Sequence, residues 1–598
     1  MRIKLQSAAL ALLVGLGLSV GNELHAQTGD ILFSAGFQDL SDGPTSDSEA
    51  ARFLTQASFG PSRTEIARLR QMGYRAWINE QLTLPATLTR PWLTTLEANA
   101  NFSLNTGHRV DRWAVQTVSA PDQLRQRMAY ALGQILVVSD SGGIDTRQIA
   151  EYQDMLTSSA FGSYRTLLGQ VTFSPVMAQW LTYLRSRAAY QTGNPPSTIL
   201  PDENYAREIM QLFSFGLIKR NLNFTATSNP PTPTYDNATI ANLSRVFTGL
   251  TYSGTPNFGS NTNANFFGAM TCFPMNNPPA NTNYLATGRT YHDNADKLIF
   301  ENITLPGVAN TEAGCLSDVN AALDQIVLHA TIAPNVSRQL IQRFVTSNPS
   351  PAYIQRVSTV FNDNGGGVRG DLGAVIRAIL LDDEARRLPR ANEGKLREPL
   401  LRLTAAWRAL DVELGIPEPA MVGNPPVINS NVGNIGMRMS FTFSEFGQRP
   451  WSAPTVFNFY EPDYQNPGAL QQAGLFAPEF QILNENTISR TNNQVFDLGA
   501  NRYSGRNDLI AGTTTSPRVN LDALASPLSV YNATTQAALV DEINVRLMFG
   551  FMSNAMRQTI LTMLATTPAP ANTDDARRIA VRDVLRVVYA SPEFAIQK

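Results

Sequence analysis

The sequence predicts a mainly α fold: a large multi-helix globular unit with long irregular Asn/Pro/Gly-rich loops and little or no β-sheet. Apolar residues recur at helical spacing along most of the 598 residues. Period-2 alternation, the mark of a half-buried strand, is nearly absent. Capping signals stand just ahead of several of the apolar periods.

In chain order, residues 1–26 read as an export signal. Arg2 and Lys4 supply the positive end, Ala8 to Val20 the apolar run, and Leu24-His25-Ala26 a small-residue cleavage site before Gln27. A membrane anchor would need ~20 uninterrupted apolar residues, more than this run offers. Residues 27–45 form a polar leader, and 46–598 a single helical unit. Ser46-Asp-Ser-Glu49 and Ser62-Arg-Thr-Glu65 are capping boxes that start two short helices. Further helical periods run over 108–119, 121–138, 146–160, 163–172 and 174–187. Asn, Thr, Pro, Ser and Gly then dominate an irregular excursion at about 221–290, interrupted by one helical island at 237–250. Helical periods resume at 317–330, 335–346, 351–362, 371–381 and 395–411. A second irregular block, at 417–467, is rich in Asn, Gly and aromatics. The chain returns to helix at 470–498, 536–550, 554–564 and 573–590.

A net charge of −2 gives no electrostatic reason to expect nucleic acid or an anionic membrane as a partner. No segment after the signal is long and apolar enough to span a membrane, so an exported protein is expected: periplasmic, cell-surface or secreted. Cys272 and Cys315 are the two cysteines, and in an oxidising compartment they are expected to pair. Such a bond would close a loop of 43 residues, worth about 4 kcal/mol on the chain-entropy account. Lysine stands only at Lys4, Lys219, Lys297, Lys395 and Lys598, which makes each position more informative.

The segment Asp202 to Gly216 organises the reading. At 100° per residue, Tyr205, Ile209, Leu212, Phe213 and Gly216 share one helix face. Asn204, Glu208 and Gln211 occupy the neighbouring stripe, and Glu203 and Arg207 form an i,i+4 pair on the far side. A carboxylate at the edge of an apolar face, with amides beside it, suits a pocket wall. It suits equally a tie to an arginine on the next helix.

Several stretches together resemble a large bacterial family, domain of unknown function 1800. They are Ala51-Arg-Phe-Leu-Thr-Gln-Ala-Ser-Phe-Gly-Pro61, Glu203 to Phe213, Arg245-Val-Phe-Thr-Gly-Leu250, His292-Asp-Asn-Ala-Asp-Lys297, the 329–346 helix entry, Ser452 to Tyr460 and Ser591-Pro-Glu-Phe594. The resemblance implies export but no assigned activity. In one place the chain departs from the family: Leu132-Gly-Gln-Ile-Leu136 stands where many members have Trp-His-Asn-His-Phe. Any metal chemistry resting on those imidazoles is therefore in doubt here.

The mature chain keeps His108, His292 and His329. No H-x-x-x-H or H-E-x-x-H spacing brings two of them together, so no metal site is expected. Asn362 to Asp371 lacks the alternating acidic ligands of a calcium loop and reads as a Gly-rich turn. Serine-hydrolase, phosphate-loop and dinucleotide fingerprints are missing, and no cofactor is expected. The candidate catalytic residues are Glu208 as acid or base, His292 and Asp293 as a proton relay, and Lys297 to stabilise developing negative charge. Asn204, Arg207, Gln211 and His329 are the candidate binding residues. The bland alternatives are a capping or backbone-bonded role for His292, and a buried structural role for His329. Trp451, Phe457, Phe459, Tyr460 and Tyr464 form an aromatic block that reads as satellite core beneath a loop. Two functions compete: a cleft that binds or processes an extracellular or envelope substrate by acid/base chemistry, and a non-catalytic exported scaffold or interaction protein in which the same charges form ion pairs.

Overall fold

The fold is mainly α, as expected, in a computed structural model that describes residues 43–98, 103–192, 197–273, 290–390, 393–413, 421–422, 427–428, 445–504 and 517–598. The signal segment, most of the leader and parts of both irregular blocks lie outside the described residues. Strands are two or three residues long and pair only as two-stranded antiparallel ribbons among the described residues. No helix among them is long and apolar enough to cross a membrane.

The expected helices form close to their predicted bounds, and the local chemistry explains where they stop. Ser46 caps the Asp47–Ala57 helix by accepting from the Glu49 amide. The Glu49 carboxylate closes one residue early, accepting from the Thr45 amide at 2.7 Å. Ser62 likewise caps Arg63–Met72, but Glu65 turns away to accept from the Trp77 indole at 3.0 Å. Both boxes are thus half-realised, because the second carboxylate finds a better partner. The 174–187 period yields only Pro175–Trp180, since Thr182 and Arg185 adopt positive φ. The 470–498 period splits into Ala469–Gln472 and Glu485–Phe496 around a 3-10 turn at Pro478–Gln481. Tyr74–Thr83 and Arg90–Glu97 are helices the apolar spacing did not reveal.

Two large apolar clusters hold the molecule together. The first is built from residues 50–385 together with Trp451 and Phe549. The second gathers around the Pro399–Ala409 helix and the C-terminal helices, with Trp407 fully buried. The C-terminal strand Ile596–Gln597 returns to pair with Lys395–Leu396 at the seam. Arg397, buried among aromatic rings, stacks on Phe549 and Phe594 there, at 5.2 and 4.4 Å. The Asn362–Asp371 turn is closed by its own Asp363 carboxylate, which accepts from the Gly365 and Gly367 amides at 2.9 Å each.

Candidate functional site

Two polar foci emerge, one closed and one open. The closed focus forms where the Asn237–Val246 helix ends. Gly249, at φ 82°, turns the chain so tightly that an added Cβ would meet His292 at 3.0 Å. His292 Nδ1 lies 2.9 Å from the Thr248 carbonyl, an acceptor, so this nitrogen carries the proton. Its Nε2 faces the Asp318 carboxylate at 3.2 Å, and Lys297 Nζ reaches the same oxygen at 2.8 Å. Lys297 is fully buried, and His292 and Asp318 nearly so. Asp293 turns the other way, into a bidentate pair with Arg245 at 2.8 and 2.9 Å. Burial would raise its carboxyl, but Arg245 outweighs that and holds it below the usual range. Asp318, not Asp293, is therefore the carboxylate that orients the imidazole. It was detectable in principle, as an acid on the buried face of the Glu312–Leu328 helix between Cys315 and Val319.

Cys272 and Cys315 close over this focus at disulfide geometry, with Cα atoms 6.1 Å apart. Their sulfurs and a ring nitrogen of His292 lie within 4.8 Å of one another, a grouping that sequence spacing did not show. Bonded to each other, the sulfurs are not thiolate ligands.

The open focus is a cavity of about 210 Å³ at the C-terminal end of the Asn204–Gln211 helix. Its walls carry Gln211 from that helix, Asn335, Arg338, Gln339 and Arg343 from the Ile332–Phe344 helix, and Gln134 and Ile135 from the segment after Gln123–Gly133. Arg220, Tyr460, Glu461 and Asp463 complete the charged and polar lining. Asn335 is fixed by donating to the Ser214 carbonyl at 2.7 Å. Tyr460 donates to Glu398 at 3.0 Å, and Gln134 donates to the same carboxylate at 2.6 Å. Glu398 is thereby a buried hub that stiffens one wall. The mouth exposes Leu217 and Phe457.

Glu208 sits one turn before Gln211 and does not line the cavity. It is buried, and its Oε2 has no hydrogen-bond partner. Burial pushes its carboxyl up, with Arg207 opposing. No ion pair to a neighbouring arginine is formed among the described residues, so the helix-tie alternative is not what the structure shows. Arg207 pairs with Glu203 at 3.6 Å, as the spacing anticipates. Asn204 bonds locally, its amide N–H donating to Asp202. His329 stacks on Phe215 at 4.1 Å and faces Glu301 at 3.3 Å. Of the eight candidates, Gln211 alone reaches the cavity. His292 and Lys297 come together on Asp318, and nothing among the described residues bonds them to Glu208.

The structure shows what stands at positions 133 and 135, where the resemblance implied histidines. A Cβ on Gly133 would overlap the Trp451 ring, so the indole leaves no room for a side chain there. Ile135 brings a hydrocarbon side chain to the cavity wall.

A second recess of about 520 Å³ lies beside Glu151, Asp154 and Phe267. Its carboxylates are committed: Asp154 accepts from the Thr89 and Arg90 amides at 2.7 Å, and Glu151 pairs with Arg90.

Comparison with known proteins places these foci in a family. The family described as Protein of unknown function (DUF1800) matches residues 52–596, nearly the whole chain, and the protein belongs to it. No curated protein and no solved structure matches the chain.

Proposed function

We propose that this is an exported protein whose 210 Å³ cavity binds an extracellular or envelope substrate. The observation that carries the reading is convergence. The 203–213, 329–346 and 452–460 stretches of the family resemblance, together with the divergent 132–136 segment, lie far apart in sequence yet all line this one cavity. None of them lines the larger recess. Export is supported by the signal-like N-terminus and by the Cys272–Cys315 pair, a bond suited to an oxidising compartment. The acid/base part of the reading narrows to Glu208, whose buried Oε2 has no partner one turn from Gln211 and just outside the cavity lining, because Asp293 and Lys297 are held in ion pairs and His292 faces a carboxylate that Lys297 already holds. Those pairs favour the scaffold reading for the His292–Lys297 segment alone.

The test is binding of a panel of purified envelope glycans by equilibrium dialysis, comparing the mature chain with Gln211→Trp. An indole at this position fills the cavity, so binding should be lost while the unfolding midpoint holds. Retained binding would place the substrate elsewhere. Export is checked by the mass of the protein recovered outside the cytoplasm, expected to begin at Gln27.

A further inference from the structure

Resting on that cavity reading, we infer that the ligand carries an oxyanion, a carboxylate or a phosphate, which seats against Arg220, Arg338 and Arg343. The lining holds three guanidiniums and two carboxylates, Glu461 and Asp463. Only one ion pair forms among them, Arg338 with Asp463 at 2.6 Å. Arg220 and Arg343 have no carboxylate within 4.0 Å among the described residues.

Arg343 is nearly fully buried. It spends its two terminal nitrogens on the Gln339 and Gln134 carbonyls, at 3.2 and 3.0 Å, while Nε has no partner. Arg220 lies flat on Phe224, 4.1 Å from its centroid, with one nitrogen donating to the Phe224 carbonyl at 3.0 Å. Arg338 is also held over Phe224, at 4.6 Å, so one ring positions two cations. Holding guanidiniums in place before a ligand arrives lowers the cost of binding an anion.

Asp463 shows how the site works. Its side chain is 60% exposed and reaches inward from the loop after Tyr460 to occupy Arg338. An acidic ligand would take that place, leaving Asp463 to swing out into water. The cavity volume, below the usual 300–1,000 Å³ of a drug-sized pocket, admits a single charged head group or the charged end unit of an oligosaccharide, not the middle of a polymer.

The experiment is calorimetric titration of the mature chain with inorganic phosphate and, separately, with trigalacturonate, each against sodium chloride at matched ionic strength. The stronger binder of the two identifies the source of the oxyanion. Arg343 is too deeply bonded to be a safe probe, so Arg220→Gln and Asp463→Asn carry the test. Arg220→Gln should weaken binding about tenfold, and Asp463→Asn should tighten it roughly threefold by freeing Arg338. Chloride matching both probes, or affinities indifferent to both substitutions, would overturn the inference. An uncharged glycan bound by the parent, lost in Gln211→Trp and indifferent to both charge variants, would overturn it while leaving the cavity reading intact. Glycan binding unaffected by Gln211→Trp would remove the cavity reading itself.

Discussion

At Asp318 a lysine and an imidazole converge on one carboxylate within 3.2 Å, and all three side chains are shut away from solvent. At the cavity, three guanidiniums share a single ion pair among the described residues, and that one is made by an exposed aspartate. The two regions use the same kinds of side chain and lie on connected elements. The Asn204–Gln211 helix packs on Asn237–Val246, which packs in turn on the Lys297–Leu298 strand. What separates them is how fully their charges are consumed. The closed cluster is shut away from solvent with Lys297 already on its carboxylate, so it ties elements together and presents no surface to a ligand, even though His292 Nε2 and Asp318 Oδ2 lack a well-formed hydrogen bond. An under-neutralised, partly open one can still receive a ligand, so the type of residue says less about function than its residual valence.

The sharpest way to break this contrast is at the closed focus. Lys297→Met should leave the buried Asp318 carboxylate short of its main counter-charge and cost about 3–5 kcal/mol in chemical denaturation. A change below 1 kcal/mol would mean that water or flexibility relieves the cluster, and its structural role would fall. Next in size is the packing of Gly133 against Trp451, beside Gln134. Gly133→Ala sets a methyl against the Trp451 ring and should cost about 1–3 kcal/mol through overpacking. Indifference there would show that Trp451 is free to move.

Glu208→Gln should act in the opposite direction. A buried carboxylate without a partner costs stability when ionised, so the amide should raise stability at neutral pH by about 1–2 kcal/mol. The sign follows from the raised native pKa: the penalty is absent below the unfolded value and develops as pH rises through the native one. The gain should therefore shrink towards zero below about pH 4, where the unfolded glutamate is protonated as well. A loss of several kcal/mol at neutral pH would instead reveal an ion pair. The smallest stability effect belongs to Arg220→Gln, within about 0.5 kcal/mol, because Arg220 is half-exposed and has no salt bridge among the described residues to lose.

Much of this was legible in the sequence, and the parts that were not have a common cause. The helices followed from apolar period and caps, as at Ser46 and Ser62, because both are local. Glu208 was recognisable as an acid at the edge of an apolar face, and it is buried without a partner. The pairing of His292 with Asp293 was inferred from adjacency, yet the two side chains go to different partners. Asp293 found Arg245 on a helix behind it, and Asp318 arrived from 26 residues beyond His292. The cavity was invisible for the same reason. Gln134, Gln211, Arg338 and Tyr460 meet only once four distant segments are packed, and no local spacing encodes that meeting.

The most direct test sets one substitution from each focus against the other in a single assay. Binding of the envelope-glycan panel would be measured for the parent, Gln211→Trp and Asp318→Asn, each corrected for its folded fraction. The account predicts that Gln211→Trp binds nothing at near-parental stability, while Asp318→Asn is destabilised but binds normally per folded molecule. Lost binding in folded Asp318→Asn, with binding retained in Gln211→Trp, would contradict it and move the functional site to His292 and Lys297.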